Sequence, residues 1–264
     1  MRLKLISYAK TRFENIQKLI NELAKGINSE TVHRLRVELK RIRFVVQVIK
    51  YYCPKVKAKK VYKPFKVFFD ELGEARGEQV NLYRKEQSES DNGETGQETK
   101  SAKLLKLEKK LIRSLPDYKM KLDDSRVKFL SKLNKLPPVT PRIFVANLSR
   151  QLVKRLNPKT EKKELHESRH LLKGIIYASE ISPGIDSHLK SKFDMNLMLE
   201  LEDAIGDWHD LSILIRRNER KNILTSKGLD NAKRTRQKKL ENIYELIDSI
   251  QLHQEHEHLT SIAY

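Results

Sequence analysis

Two short runs of basic side chains in this sequence share one spacing. His33, Arg36 and Lys40 lie three and four residues apart, and His166, Arg169 and Lys173 repeat both types and intervals 133 positions later. On a helix, residues three and four apart are surface neighbours, about 5–6 Å from one another. Such a row offers a ladder of cations to successive anionic groups. Arginine grips phosphate with a planar bidentate fork, and lysine acts as a mobile point charge. Histidine donates from one nitrogen when neutral and from two when protonated. The chemistry is capture of a polyanion.

The first run continues with Arg43 and Lys50, interrupted by Gln47. Apolar residues Val32, Leu35, Leu39, Ile42, Val46 and Ile49 keep the same rhythm one residue away. One residue is about 100° of helical rotation, so the charge runs beside the packing stripe rather than opposite it. Arg36 and Lys40 repel one another modestly there, and a bound polyanion would supply the counter-charge. The competing reading is a solvated face whose partners are Asp or Glu on other helices. Repetition in both halves favours the ligand. A second pair of motifs has the same offset: Leu72-Gly73-Glu74 and Ile205-Gly206-Asp207. Agreement of two separated motifs on one displacement points to an internal duplication.

Helical periodicity dominates the elements that must carry these residues. The spacing predicts helices over about 3–25, 29–52, a segment around Phe65, Phe68 and Phe69 towards Lys85, 101–114, 124–135, 142–156, 161–181, 187–219 and 228–252. Gly26 is the expected stop of the first, Ser29 or Thr31 the cap of the second, and Pro54 its end. Gln87 to Thr99 is polar, acidic and glycine-containing, and reads as a disordered loop. A break is expected at Pro116, and Asn157-Pro158, Pro183-Gly184 and Lys227-Gly228 are expected separators. Pro137-Pro138 and Pro141 mark the boundary between halves, 1–138 and 139–264, two repeats of one domain. No segment alternates like a strand, so the fold class is all-α.

The chain has 264 residues, enough to bury a full core. Lys and Arg number 54 against 35 Asp and Glu, a formal net charge of +19. A surplus that large concentrates anions of any kind, so nucleic acid and anionic surfaces stay open beside polyphosphate. Cys53 is the only cysteine, which excludes an intrachain disulfide and favours a reducing compartment. No run of about 18 apolar residues suggests a membrane span, and the N-terminus lacks a signal-peptide core. The expectation is a soluble cytoplasmic protein, with polyphosphate granules as a candidate residence.

Val32-His33-Arg34-Leu35-Arg36-Val37-Glu38-Leu39-Lys40-Arg41-Ile42-Arg43 resembles the signature helix of the conserved histidine α-helical domain, or CHAD, family. Leu165-His166-Glu167-Ser168-Arg169 through Lys173, followed by Tyr177-Ala178-Ser179-Glu180, resembles its second copy. Leu72-Gly73-Glu74-Ala75-Arg76 and Ile205-Gly206-Asp207-Trp208-His209-Asp210 resemble the Leu-Gly motif of the helix that follows. The resemblance covers about residues 5 to 250. It implies two helical bundles of about four helices each, related by pseudo-twofold symmetry, with the signature helices lining a basic central groove. It also implies binding of inorganic polyphosphate without an established catalytic activity or cofactor. The binding residues it implies are His33, Arg36, Lys40, Arg41, Arg43 and Arg76, with His166, Arg169 and Lys173. A triphosphate-processing domain is often fused to such domains, and this chain reads as stand-alone. Gly77 stands where the first copy usually has Asp, a residue that Asp210 keeps in the second. Ile176 stands where the second copy usually has Arg, so its helix is expected to contribute less charge.

Two other functions compete. One is an enzyme of phosphate chemistry using His33 or His166, against which stands the lack of a Gly-rich phosphate loop or a Mg²⁺-binding carboxylate cluster. The other is nucleic-acid binding, disfavoured by aromatics that fall mainly at core spacing, as at Phe65, Phe68 and Phe69. His253, His256 and His258 are an unpromising metal site in a terminal segment, and no metal is expected. His209 beside Asp210 is read as structural. The runs Lys103 to Arg113 and Lys233 to Lys239 read as solvated surface, with a secondary polyanion contact as the lesser alternative. If the histidines are ligands, binding should tighten as pH falls from about 8 to 6, since an unperturbed imidazole titrates near 6.5. It should also weaken steeply with salt.

Overall fold

The computed structural model describes residues 2–89, 101–136, 141–156, 162–181, 194–221 and 224–262. Among them are eight helices and no strand: α1 (Arg2–Lys25), α2 (Ser29–Tyr52), α3 (Ala58–Glu89), α4 (Ala102–Asn134), α5 (Pro141–Arg155), α6 (Lys162–Ile181), α7 (Met195–Lys221) and α8 (Ser226–Ile262). The chain divides into two compact units, Met1–Val139 and Thr140–Tyr264.

In the first unit each helix packs on the next and α4 returns to α1, closing a four-helix bundle. The predicted apolar stripe of α2 is buried throughout, from Val32 to Ile49. Phe13 of α1 meets both Phe65 of α3 and Phe129 of α4 in the core, each pair with ring centroids 5.5 Å apart. Each buried aromatic of this size adds about 1.5–3 kcal/mol through the water it sheds. In the second unit α6 packs on α5 and α7, and α7 on α8. Its core includes Leu165, Leu172, Ile175, Ile205, Ile243 and Ile247, together with Trp208.

Gly26 ends α1 as expected, its N–H bonding the carbonyl of Leu23. The cap of α2 is neither Ser29 nor Thr31 but Asn28, whose side chain accepts the Thr31 N–H at 2.6 Å. Asn28 holds the extended backbone that a capping residue needs, while Ser29 is already helical. The expected break at Pro116 is absent: α4 runs unbroken from Ala102 to Asn134. Pro116 is exposed, and Leu111, Leu115, Tyr118 and Leu122 on the opposite side are buried. Their packing outweighs a helix-interior proline, which costs about 3 kcal/mol. Gly228 is likewise no separator. It lies in the first turn of α8, where its N–H bonds the hydroxyl of the capping Thr225 at 3.1 Å. Residues 90–99 of the predicted loop, the Pro137-Pro138, Asn157-Pro158 and Pro183-Gly184 boundaries, and 187–193 lie outside the described residues, as do the side chains of His253, His256 and His258.

Candidate polyanion-binding faces

Arg36 projects from α2 onto α3. Its guanidinium donates to the carbonyl of Phe69 at 2.8 Å and lies over the Phe69 ring, 4.1 Å from the centroid. The close approach needs Gly73, one turn further on: a Cβ there would sit 2.6 Å from the guanidinium nitrogen. Glycine in a helix interior is about 1 kcal/mol less favourable than alanine, and here it makes room for a side chain of the neighbouring helix. The second unit repeats the arrangement at the same offset. Arg169 of α6 donates to the carbonyl of Glu202 at 3.3 Å, and a Cβ on Gly206 would meet its guanidinium at 2.5 Å. The Leu-Gly motif and the signature arginine therefore form one contact, made in each unit by residues at matching positions.

The side chain that receives the arginine differs. Where α3 offers the ring of Phe69, α7 offers the carboxylate of Glu202, which is 90% covered and takes both Arg169 at 2.8 Å and Lys173 at 2.6 Å. Neither Phe69 nor Glu202 stands out in the sequence. Each lies one turn before the glycine, so extending the aligned motifs by four residues would have exposed the exchange. Phe69, expected in the core with Phe65 and Phe68, is half-buried and serves as a guanidinium platform.

Arg76 of α3 reaches the start of α2, where it donates to the Ser29 hydroxyl. There it faces His33. Burial, and then Arg76, hold the His33 pKa below 6.5; Glu30 opposes them, and Lys40 and Arg36 add smaller downward contributions. His33, Arg36, Lys40 and Arg76 thus form one electrostatic cluster, and Arg43 continues the row as an exposed side chain.

The matching position to Arg76 in the second unit is His209. Its ring stacks on His166 with centroids 4.9 Å apart, while His170 meets the same imidazole edge-on, Nε2 to Nε2 at 3.3 Å. Burial, then His209 and Arg169, lower the His166 pKa, and Glu167 opposes them. His170 was missed in the sequence, although it stands four residues after His166. The Nδ1 of His209 lies 3.7 Å from Asp210, beyond hydrogen-bond reach. Asp203, the neighbour of Glu202, has a raised pKa through burial and through Glu202, with a further push from Asp207.

Arg41 turns elsewhere. It bonds Glu38 at 2.9 Å, and Arg12 of α1 approaches the same carboxylate oxygen at 3.3 Å. Arg41 and His33 also line a cavity of about 410 Å³ between α1 and α2. Lys18, Arg34 and Arg41 there are balanced by Glu22, Glu30 and Glu38, so that cavity holds no surplus charge for an anion. The basic runs pair in part as solvated surface does: Lys110 with Glu71, Lys103 with Glu78, and Lys239 with Asp207. Among the described residues no group of three or more His, Cys, Asp or Glu is placed to hold a metal ion. No described helix is long and apolar enough to cross a membrane.

An all-helical chain in which an arginine of one helix is seated against a glycine of the next, once in each unit, defines a class of helical-bundle protein. The CHAD domain family matches over residues 7–219, and the chain belongs to that family, of which polyphosphate binding is a general property. The crystal structure of the CHAD domain from the plant Ricinus communis shares the fold, with a TM-score of 0.67 over 97% of this chain and 91% of that one at 17% identity. No match is found among curated proteins.

Proposed function

We propose that this chain binds inorganic polyphosphate without cleaving it. In the first unit the ligand lies along His33, Arg36, Lys40 and Arg43, with Arg76 from α3. In the second it meets His166, Arg169 and Lys173. Arg41, turned towards Glu38, contributes through the charge of the α2 N-terminal half rather than by direct contact. The halves 1–138 and 139–264 act as two repeats of one domain, a reading supported by the matched Arg36–Gly73 and Arg169–Gly206 contacts. Polyphosphate granules are a natural residence for such a binder, or it could scaffold other proteins on the polymer.

The observation that carries the proposal is the cluster on α2 and α3. Burial first, and then Arg76 from α3 with Lys40 and Arg36 from α2, depress the His33 pKa, so the cations of two helices act on one imidazole. A polyanion lying across them offsets their mutual repulsion, and the Phe69 ring holds the Arg36 guanidinium in place. A flexible ligand with about one negative charge per phosphate and no base to stack suits a row of cations better than an aromatic platform does.

Titration with polyphosphate of several chain lengths tests the binding. Duplex and single-stranded DNA, added at equal phosphate concentration, should fail to displace it. Incubation with polyphosphate and Mg²⁺ should release no phosphate and leave the chains unshortened. Shortening would instead establish the phosphate-chemistry reading, with His33 or His166 as its acid or phospho-acceptor.

A further inference from the structure

Both units place the signature arginine on the same backbone carbonyl of the following helix, so side chains around it can be compared position by position. The first unit carries His33, Arg36, Lys40, Arg43, Phe69, Asp70, Glu74 and Arg76 at the compared positions. The second carries His166, Arg169, Lys173, Ile176, Glu202, Asp203, Asp207 and His209, each 133 residues on. With histidines neutral, the first set holds four cations and two carboxylates, and the second holds two cations and three carboxylates. The formal balance is +2 against −1, before Lys66 on Asp70 and Lys239 on Asp207 are counted. Glu202 contributes most pointedly to the difference, because it bonds the two cations of its own stripe, Arg169 and Lys173, at 2.8 and 2.6 Å.

We infer that Glu202 is an internal competitor that occupies the phosphate site of the second unit, where the matching position of the first unit carries the uncharged ring of Phe69. The inference rests on the polyphosphate reading and deepens it. A phosphate approaching Arg169 and Lys173 must displace a covered carboxylate already hydrogen-bonded to both, or bind beside it against repulsion. At Arg36 the corresponding side chain is an uncharged ring that orients the guanidinium and repels nothing. Asp70, which matches Asp203, is drawn away by Lys66 at 2.7 Å. Ile176 removes a cation from the second signature helix, and Glu202 on the opposing helix adds a carboxylate to the same side of the comparison.

Glu202→Gln tests this, since it keeps the shape and an acceptor while removing the charge. Polyphosphate affinity at low salt should rise about 3-fold or more, and the rise should be larger in an Arg36→Ala background, where the second face carries the binding. The reciprocal pair Phe69→Glu and Phe69→Gln separates charge from loss of the ring, and it needs no change in the second unit. Phe69→Glu should lose at least about 10-fold more affinity than Phe69→Gln. Unchanged affinity in Glu202→Gln, with Phe69→Glu equal to Phe69→Gln, would overturn the inference while leaving wild-type binding, and so the functional reading, intact. If the wild type fails to bind and Glu202→Gln binds, the functional reading falls and the competitor stands. If neither binds, both fall.

Discussion

Arg36 and Gly73, 37 residues apart on neighbouring helices, form one packing unit. The guanidinium rests where a side chain on residue 73 would have to be, held by the carbonyl and the ring of Phe69. Arg169 and Gly206 repeat the relationship across the same interval. A mid-helix glycine that looks unfavourable locally thus has its reason in the neighbouring helix, and several consequences follow for binding and stability.

Gly73→Ala should separate binding from stability. Alanine favours the helix by about 1 kcal/mol, while the Cβ pushes away the far end of a flexible arginine. Thermal unfolding should therefore change little, and polyphosphate affinity should drop, with a measurable loss by calorimetric titration. A variant that binds as wild type would show that the Arg36 placement is irrelevant to the ligand.

Arg36→Ala and Arg169→Ala should differ. A charge-assisted hydrogen bond contributes about 1.5–3 kcal/mol, so losing Arg36 should weaken binding about 10-fold or more. Arg169→Ala should weaken it less, because Glu202 already engages that arginine. It should instead cost about 1–2 kcal/mol of folding stability, reduced by the one-quarter exposure of Arg169 and by the remaining Lys173 contact. Equal affinity losses would instead mark both faces as equal partners in one bound chain.

The pH response should lie lower than an unperturbed histidine suggests. His33, facing Arg76, Lys40, Arg36 and Glu30, has its pKa lowered chiefly by burial. So has His166, facing His209, Arg169 and Glu167, with His170 against its ring. A bound polyanion favours the protonated ring and raises that pKa, so affinity rises as pH falls between the bound and the lower free pKa. The ligand-free fold has the opposite slope. Histidines with folded pKa values below the unfolded 6.5 take up fewer protons than the unfolded chain, so stability is full above 6.5 and is lost as pH falls through the folded values. Melting curves with and without polyphosphate from pH 7.5 to about 5, at constant ionic strength, should diverge towards acid. Parallel curves would remove the histidines from the binding site.

Pro116→Ala should stabilise α4. Proline is about 3 kcal/mol less favourable than alanine in a helix interior, and its rigidity in the unfolded chain offsets about 0.4–1 kcal/mol of that. Because residue 116 is exposed and packs on nothing that alanine would leave empty, a net gain of about 1–2 kcal/mol is expected in urea unfolding. A destabilised variant would mean that the proline shapes the helix for its packing against α1 and α3.

The positions of the cations, the all-helical class and most helix limits are determined by the sequence alone, because helical period and the apolar stripe are local properties. The stripe from Val32 to Ile49 turns inward, and His33, Arg36 and Lys40 follow from it by rotation. Local signals misled where long-range packing intervened: Pro116 sits within α4 because the buried side of that helix outweighs one missing hydrogen bond. The partner of each cation was decided only by the tertiary structure. Phe69 and Glu202 each lie 33 residues beyond the arginine they receive, on a different helix, and the register between those helices brings them together. Spacing can place a guanidinium on a surface, but whether it meets an aromatic ring or a carboxylate depends on what the neighbouring helix turns towards it.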